Sequence, residues 1–151
     1  MKVLIFGGRK IPEQKATDFL CYSFAKFFIP TNIRMIAEGG ARGADRAGRL
    51  FGEFFRLPVK TYKADWNRYG KAAGPIRNEH MIRDFKPDMA IMFPGGTGTA
   101  HMKGLCQVYG VKIIPIGYFQ DEFILTEAKW RDRQDGDLDE VFGEYYDKAG
   151  I

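Results

Sequence analysis

Apolar residues are arranged along the chain in two alternating ways, as short continuous runs and as longer stretches with helical spacing. Five apolar runs predict buried strands at residues 2–6, 33–37, 58–62, 88–93 and 111–116. Between them, apolar residues recurring every three or four positions predict helices at residues 12–28, 44–55, 76–85 and about 100–109. This alternation is typical of βα units. It predicts an α/β fold with a mainly parallel sheet of about five or more strands and helices on both faces.

The chain has the length of one domain. Its 151 residues fall within the roughly 100–200 of a typical domain, so we expect a single domain over residues 1–151. Residues 118–151 are rich in charged side chains and are predicted to form a charged C-terminal extension. Within it, residues 121–126 fit either an edge strand or a loop, and residues 138–148 fit a terminal helix.

Composition and charge narrow the classes of function. The chain has 23 Lys and Arg against 19 Asp and Glu, a net charge of +4, which suits an anionic ligand but is too small to indicate nucleic acid. Cys21 and Cys106 lie in apolar helical patterns, so we expect buried free thiols in a reducing compartment. The apolar runs are too short for a membrane-spanning helix or a signal peptide. We therefore expect a cytoplasmic protein that contacts neither membrane nor nucleic acid.

The segment Pro94-Gly95-Gly96-Thr97-Gly98-Thr99 lies between a predicted strand and a predicted helix. Glycines in such a turn let backbone N–H groups approach a ligand closely. The N-terminus of the following helix then favours an anion such as a phosphate. We therefore expect these six residues to form a phosphate site.

Two more glycine-rich turns follow predicted strands, Gly7-Gly8-Arg9 and Gly39-Gly40-Ala41-Arg42-Gly43-Ala44-Asp45. Arg9 and Arg42 fit phosphate contacts, and Asp45 fits a helix cap or a sugar contact, although plain turns with surface arginines would have the same sequence. Neither segment has the spacing of a Walker A loop or a dinucleotide fingerprint. Because ligands of parallel sheets bind at the carboxyl ends of the strands, we expect all these turns to form one site.

Four further residues are candidates for the same site. Asp65 and Trp66 follow the third strand, where the carboxylate fits a ribose or amino contact and the indole fits stacking on a base; a capped turn with a half-buried tryptophan is the alternative. Arg77 and Asn78 are predicted in the first turn of a helix, where an arginine is electrostatically unfavourable and therefore suggests phosphate contact. The two histidines are not clustered, so we expect neither a metal nor another cofactor.

Together these motifs resemble the YspA-like (DUF2493) branch of the SLOG superfamily. The resemblance covers about residues 2–116 in consistent order, and includes Ala64-Asp65-Trp66 and Gly74-Pro75-Ile76-Arg77-Asn78-Glu79-His80-Met81. It implies a Rossmann-like three-layer sandwich that senses or processes nucleotide-derived ligands, including nucleoside monophosphates and ADP-ribose derivatives. It also implies a homo-oligomer.

One departure from the related LOG-type phosphoribohydrolases bears on activity. Their signature resembles Pro-Gly-Gly-x-Gly-Thr-x-x-Glu, and Met102 occupies the glutamate position here, while Asn78 stands where those enzymes have a lysine. Glycosidic cleavage passes through an oxocarbenium-like state that a carboxylate stabilises and a methionine does not. The main expectation is therefore binding, sensing or sequestration of a nucleotide-derived molecule, in immune signalling or counter-immunity. The alternative is an N-glycoside hydrolase with a non-standard acid, for which Asp65 is the candidate.

Overall fold

A six-stranded sheet forms the centre of the computed structural model, which describes residues 1–127. The strand order is β3-β2-β1-β4-β5-β6; the first five strands are parallel and β6 is antiparallel to β5. The strands are β1 Lys2–Phe6, β2 Met35–Glu38, β3 Val59–Thr61, β4 Met89–Met92, β5 Lys112–Phe119 and β6 Glu122–Leu125.

Helices cover both faces of the sheet and complete a Rossmann-like three-layer fold. They are α1 Glu13–Ala25, α2 Ala44–Phe54, α3 Trp66–Tyr69, α4 Ala73–Phe85 and α5 Thr97–Val108, with a 3₁₀ turn at Gly70–Ala72. Because successive strand residues point to opposite faces, β1 contributes Val3 and Ile5 to the core under α1 and α2. Leu4 and Phe6 of the same strand join the core under α4 and α5. This explains why the strands are apolar at nearly every position.

The predicted elements differ from the observed ones mainly at their ends. The helix predicted over residues 12–28 ends at Ala25, because Phe27 takes a left-handed conformation (φ 62°) and the chain turns back. The N–H of Phe28 then donates to the carbonyl of Ser23 at 2.8 Å, which leaves Phe28 buried in the core. Gly110, predicted as the residue that stops α5, has φ 68° directly after its C-cap Tyr109.

A segment predicted as a loop before Gly74 and Pro75 is largely helical. The side chain of Asp65 caps α3 by accepting a hydrogen bond from the N–H of Arg68 at 3.1 Å. The chain continues through the 3₁₀ turn into α4, which begins at Ala73 rather than Ile76. Pro75 fits there because the first turn of a helix does not need its missing N–H. Arg77 and Asn78 consequently lie in the second turn of α4, not the first.

Two further differences concern the start of α5 and the last strands of the sheet. Helix α5 begins at Thr97 rather than near Ala100, so half of the glycine-rich segment belongs to its first turn. Residues 118–125, expected in a charged extension, complete β5 and form the edge strand β6. The terminal helix predicted at residues 138–148 lies outside the described residues. Both cysteines are free thiols, and no helix within residues 1–127 is long and apolar enough to cross a membrane.

Candidate functional site

A cleft of about 930 Å³ opens at the carboxyl ends of β1 and β4. The chain runs outward from β1 through β2 to β3 and then crosses to the other side of β1 to form β4. Such a reversal of strand order separates the loops after the two central strands, and is where ligands of open α/β sheets bind. Predicted site residues that line the cleft are Gly7, Gly8, Arg9, Asp45, Trp66, Arg77, Asn78, Pro94, Gly95, Gly96, Thr97, Gly98 and Thr99.

The N-terminus of α5 forms one wall of this cleft. Its first intrahelical hydrogen bond runs from the N–H of Ala100 to the carbonyl of Gly96 at 3.0 Å. The N–H groups of Thr97, Gly98 and Thr99 precede it, so they have no acceptor within the helix. In the described part of the chain, no side chain caps α5 at Gly96. The wall therefore presents backbone donors and the positive end of a helix dipole, which favour an anion.

The glycines around the cleft serve two different purposes. A Cβ atom at Gly96 or Gly98 would meet no protein atom within 4 Å, so both residues face open space. At Gly7 a Cβ would lie 2.6 Å from the Cβ of Phe93, and at Gly8 it would lie 2.8 Å from the carbonyl oxygen of Pro94. The first pair leaves room for a ligand, whereas the second pair lets the loops after β1 and β4 pack against each other.

Gly43, like Gly7 and Gly8, allows two loops to pack closely, and it lines neither the cleft nor the smaller cavity beside it. Its φ is 71°, and a Cβ there would clash with the backbone of Gly8 and Arg9. The next residue, Ala44, donates its N–H to the carbonyl of Gly8 at 3.1 Å. Gly8 in turn donates to the carbonyl of Pro94 at 2.9 Å. Backbone hydrogen bonds thus connect the loops after β1, β2 and β4.

A buried cluster of charged side chains lies beneath these loops. Glu38 is fully buried and accepts hydrogen bonds from the N–H of Gly40 at 2.8 Å and from the hydroxyl of Thr61. Asp45 is 6% exposed and accepts from the N–H of Ala41 at 3.2 Å. Because a Cβ at Gly39 would lie 2.5 Å from Nη1 of Arg77 and 2.8 Å from Oδ2 of Asp45, the absence of a side chain there makes room for both groups.

Arg77 is held in a fixed position by three acceptors. Its Nη1 donates to the carbonyl of Gly39 and, at 3.4 Å, to that of Tyr62. Its Nε donates to Oδ1 of Asn78 at 2.9 Å. These hydrogen bonds use Nε and Nη1, so Nη2 takes no part in them. Arg77 is thus oriented by backbone carbonyls while its guanidinium lines the cleft.

Burial changes the proton affinity of two members of this cluster. It raises the pKa of Asp45 to about 6, an effect that Glu38 adds to and that the Ala41 N–H and the nearby charges of Arg77 and Arg9 oppose. Burial also lowers the pKa of Arg77, although Asp45 counteracts the effect. A carboxyl group with a pKa near neutrality inside a cleft is suited to hold or release a proton.

Asn78 links this cluster to the wall formed by α5. It is 5% exposed, and its Nδ2 lies 3.2 Å from Nδ1 of His101 and 3.5 Å from the carbonyl oxygen of Gly98. Met102, one residue beyond His101, is buried and lines the cleft, so this position offers a thioether and no carboxylate. Asn78 therefore connects the side chain of Arg77 to the first turn of α5.

A second cavity of about 230 Å³ adjoins the cleft. Its lining residues are Arg9, Gly39, Gly40, Ala41, Arg42, Trp66 and Arg77. The guanidinium of Arg9 lies 4.9 Å from the ring centroid of Trp66, whose side chain is 46% exposed. This cation–π contact places an accessible aromatic face where the two cavities meet.

Asp65, predicted as the candidate acid, lines neither cavity. It is exposed and acts as the cap of α3, as described above. Several lining residues were missed by sequence reasoning, including Lys10, Lys71, His101 and Tyr118. Tyr118 reaches the cleft because β5 continues beyond the predicted strand. The other three residues belong to no distinctive sequence motif. His101 was considered only as a metal ligand and set aside because the two histidines are not clustered.

Comparisons with known proteins give one match. The chain is 36% identical over 124 residues to the Gene 61 protein of Mycobacterium phage D29, an alignment that covers 78% of this chain and 98% of that protein. No family model matches the chain, and no solved structure gives a significant match.

Proposed function

The chain belongs to the same family as the Gene 61 protein of Mycobacterium phage D29, and we propose that it binds a nucleotide-derived small molecule in the cleft. The observation that carries this proposal is the uncapped N-terminus of α5, where Gly96 and Gly98 leave open space in front of three backbone N–H groups. A phosphate group fits both the donors and the helix dipole.

The rest of the cleft is suited to a nucleoside attached to that phosphate. Trp66 offers an exposed aromatic face for stacking on a base, a contact worth about 1–3 kcal/mol. Asn78 and Asp45 offer polar groups near a sugar, and Arg77 contributes positive charge. A cleft of about 930 Å³ lies near the upper end of the roughly 300–1,000 Å³ of small-molecule sites. It therefore has room for a ligand of the size of ADP-ribose or a cyclic ADP-ribose derivative.

The proposed role is sensing or sequestration rather than turnover. Met102 supplies no carboxylate at the position where the LOG-type phosphoribohydrolases, which the sequence resembles, have one. A protein that holds a nucleotide signal without cleaving it removes that signal from its receptors. The relative is a phage protein, which is consistent with a role in counter-immunity.

Thermal unfolding with candidate ligands tests binding directly. The panel comprises AMP, NAD, ADP-ribose, cyclic ADP-ribose isomers and cytokinin nucleotides. A ligand at about 100 times its dissociation constant should stabilise the protein by about 2.7 kcal/mol. If none of these phosphorylated compounds raises the melting temperature, the proposal is wrong.

A pair of glycine variants in α5 locates the phosphate. Gly98→Leu places a side chain into the open space of the cleft, whereas Gly104→Leu alters the same helix at a residue that does not line it. Leucine favours a helix over glycine in both positions. We expect ligand stabilisation to disappear only in Gly98→Leu. Equal ligand shifts in the two variants would place the phosphate elsewhere.

Asp45 favours a second candidate function, hydrolysis of an N-glycosidic bond. It lines the cleft, and its pKa near 6 suits a group that donates a proton to a leaving base while water attacks the sugar. The test follows release of free base from AMP, NAD and ADP-ribose by chromatography. If the unaltered protein releases base, and Asp45→Asn abolishes this release while Asp65→Asn retains it, the function is hydrolysis rather than binding alone. No base release from the unaltered protein excludes hydrolysis of these compounds.

A further inference from the structure

The small cavity beside the cleft is positively charged independently of the α5 wall. Three arginines, Arg9, Arg42 and Arg77, line it together with the backbone of the Gly39–Gly40–Ala41 loop. The residues of the α5 wall do not line it, and Arg42 does not line the larger cleft. The protein thus has two places suited to negative charge, at different ends of one continuous site.

Two of these arginines, Arg9 and Arg42, form no salt bridge with a carboxylate in the part of the chain that the structure describes. Asp45 and Glu38 lie beside Arg77 and are already hydrogen-bonded to backbone N–H groups of the same loop. Asp45 also interacts electrostatically with Arg9. An anionic group in the cavity would therefore face Arg9 and Arg42 without competition from an ion pair.

Side chains of α4 connect the two places suited to negative charge. Arg77 lines both cavities, and Asn78 connects its Nε to the carbonyl of Gly98 at the α5 wall. Arg42 lines only the small cavity and the first turn of α5 lines only the cleft, so neither cavity brings the two together. Trp66 also lines both cavities, so an aromatic face for a base lies at the junction.

From this arrangement we infer that the ligand carries two phosphates on opposite sides of a nucleoside, one at the α5 wall and one among Arg9, Arg42 and Arg77. The ligand class is a nucleoside bisphosphate, or a dinucleotide with the same spacing, rather than a compound whose phosphates are adjacent. This inference rests on the proposed function and specifies its ligand. The base stacks on Trp66 between the two phosphates.

Calorimetric titration with matched nucleotides tests the spacing. Nucleoside 5′-monophosphate, nucleoside 5′-diphosphate and nucleoside 3′,5′-bisphosphate are compared, each with adenine and with guanine. The diphosphate and the bisphosphate have the same number of phosphates and differ in their placement. Since a hydrogen-bonded charge is worth about 1.5–3 kcal/mol, we expect the bisphosphate to bind at least tenfold more tightly than the other two.

Two arginine variants assign the second phosphate to the small cavity. Arg42→Met should weaken binding of the bisphosphate about tenfold or more and leave monophosphate binding unchanged. Arg49→Met is the matched control, because Arg49 lies on α2, forms a surface pair with Glu53 and lines neither cavity. It should leave both ligands unaffected.

The possible failures are distinguishable. A diphosphate that binds as tightly as the bisphosphate, or an Arg42→Met variant that weakens both ligands equally, overturns the inference and leaves the proposed function intact. A dinucleotide of type pNpN that binds more tightly than the bisphosphate supports the same spacing and identifies the longer member of the class. Failure of every phosphorylated nucleoside to bind overturns the proposed function itself.

Discussion

Burial and ionisation oppose each other at Asp45. Its carboxyl group is 6% exposed and its pKa is raised from 3.8 to about 6, mainly by burial. The folded protein therefore keeps a proton on Asp45 at pH values where the unfolded chain has released it. Stability linked to this proton is complete below about pH 4 and is lost as the pH rises through about 6.

The pH dependence of unfolding provides a direct check. A shift of about two units corresponds to about 2–3 kcal/mol, so Asp45 alone should lower the free energy of unfolding by this amount between about pH 4 and pH 7. Denaturant titrations of the unaltered protein and of Asp45→Asn measure the difference. The slope over this range should be absent from the variant. Asp84, whose pKa is lowered to about 2 by Lys60 and Tyr62, contributes in the opposite sense and only below about pH 4.

Gly39 makes room for a charged cluster rather than for a ligand. A methyl group there would press against Arg77 and Asp45, whose positions depend on hydrogen bonds to the same loop. We expect Gly39→Ala to lower the free energy of unfolding by about 1–3 kcal/mol, measured by denaturant titration. Gly104→Ala, where a methyl group meets open space, should be neutral or stabilising. Equal effects of the two changes would contradict the packing described for Gly39.

Among the α-helices of residues 1–127, α3 is the shortest and carries the proposed stacking residue. It has 4 residues and begins with Trp66, directly after the capping residue Asp65. The guanidinium of Arg9 lies 4.9 Å from the ring centroid of Trp66, and a Cβ atom at Gly74 would lie 3.4 Å from Cη2 of the same ring. A helix this short depends on its cap and its contacts, because so few hydrogen bonds do not maintain it alone.

Removal of the cap should loosen this helix without abolishing the fold. We expect Asp65→Ala to cost about 1 kcal/mol and to change the fluorescence of the native protein through greater exposure of Trp66. Asp65→Asn, which keeps a capping oxygen, should retain most of the stability and the native spectrum. Loss of native structure in both variants would show that Asp65 has a larger role than capping.

The two faces of the sheet carry different layers of helices, one that packs over the core and one that also lines the cleft. Phe51 of α2 is fully buried, and its ring contacts those of Phe24 in α1 and of Phe55. Much of the lining of the cleft comes from α4 and α5 on the other face, including Met81 and Met102, although Asp45 of α2 also lines it. Changes in the first layer should therefore alter stability while leaving the geometry of the cleft intact.

Phe51→Ala checks this division. Deletion of a buried phenylalanine ring should lower the free energy of unfolding by about 3–5 kcal/mol. Measured below the reduced melting temperature, the dissociation constant for any ligand found should be unchanged. A large loss of affinity in the folded variant would show that the two layers are coupled.

The order of strands and helices was predictable, because apolar runs such as residues 2–6 and 88–93 are separated by stretches of helical spacing. The ends were not. Glycine-rich and alanine-rich segments resemble loops in sequence, yet capping by Asp65 and the packing of Gly95 against Thr99 make them parts of α3, α4 and α5. Strand β6 depends on pairing with β5, a long-range contact that local pattern does not reveal.

The candidate site was predictable as a group of turns at one sheet edge, but the role of each residue was not. Sequence alone does not distinguish Gly96, which faces open space, from Gly7, which packs against Phe93. It also did not separate Asp45, which lines the cleft, from the capping residue Asp65. Both distinctions depend on how loops from different strands meet, which is decided by the packing of the whole sheet.

The backbone hydrogen bonds from Ala44 to Gly8 and from Gly8 to Pro94 should be visible in the hydrogen exchange of the ligand-free protein. They order the loops after β1, β2 and β4 before any ligand binds, so little conformational entropy remains to be lost on binding. The amide protons of Gly8 and Ala44 should therefore exchange slowly with deuterium in ligand-free protein. Added ligand should slow the exchange of Gly98 and Thr99 instead, because the proposed phosphate accepts from their N–H groups.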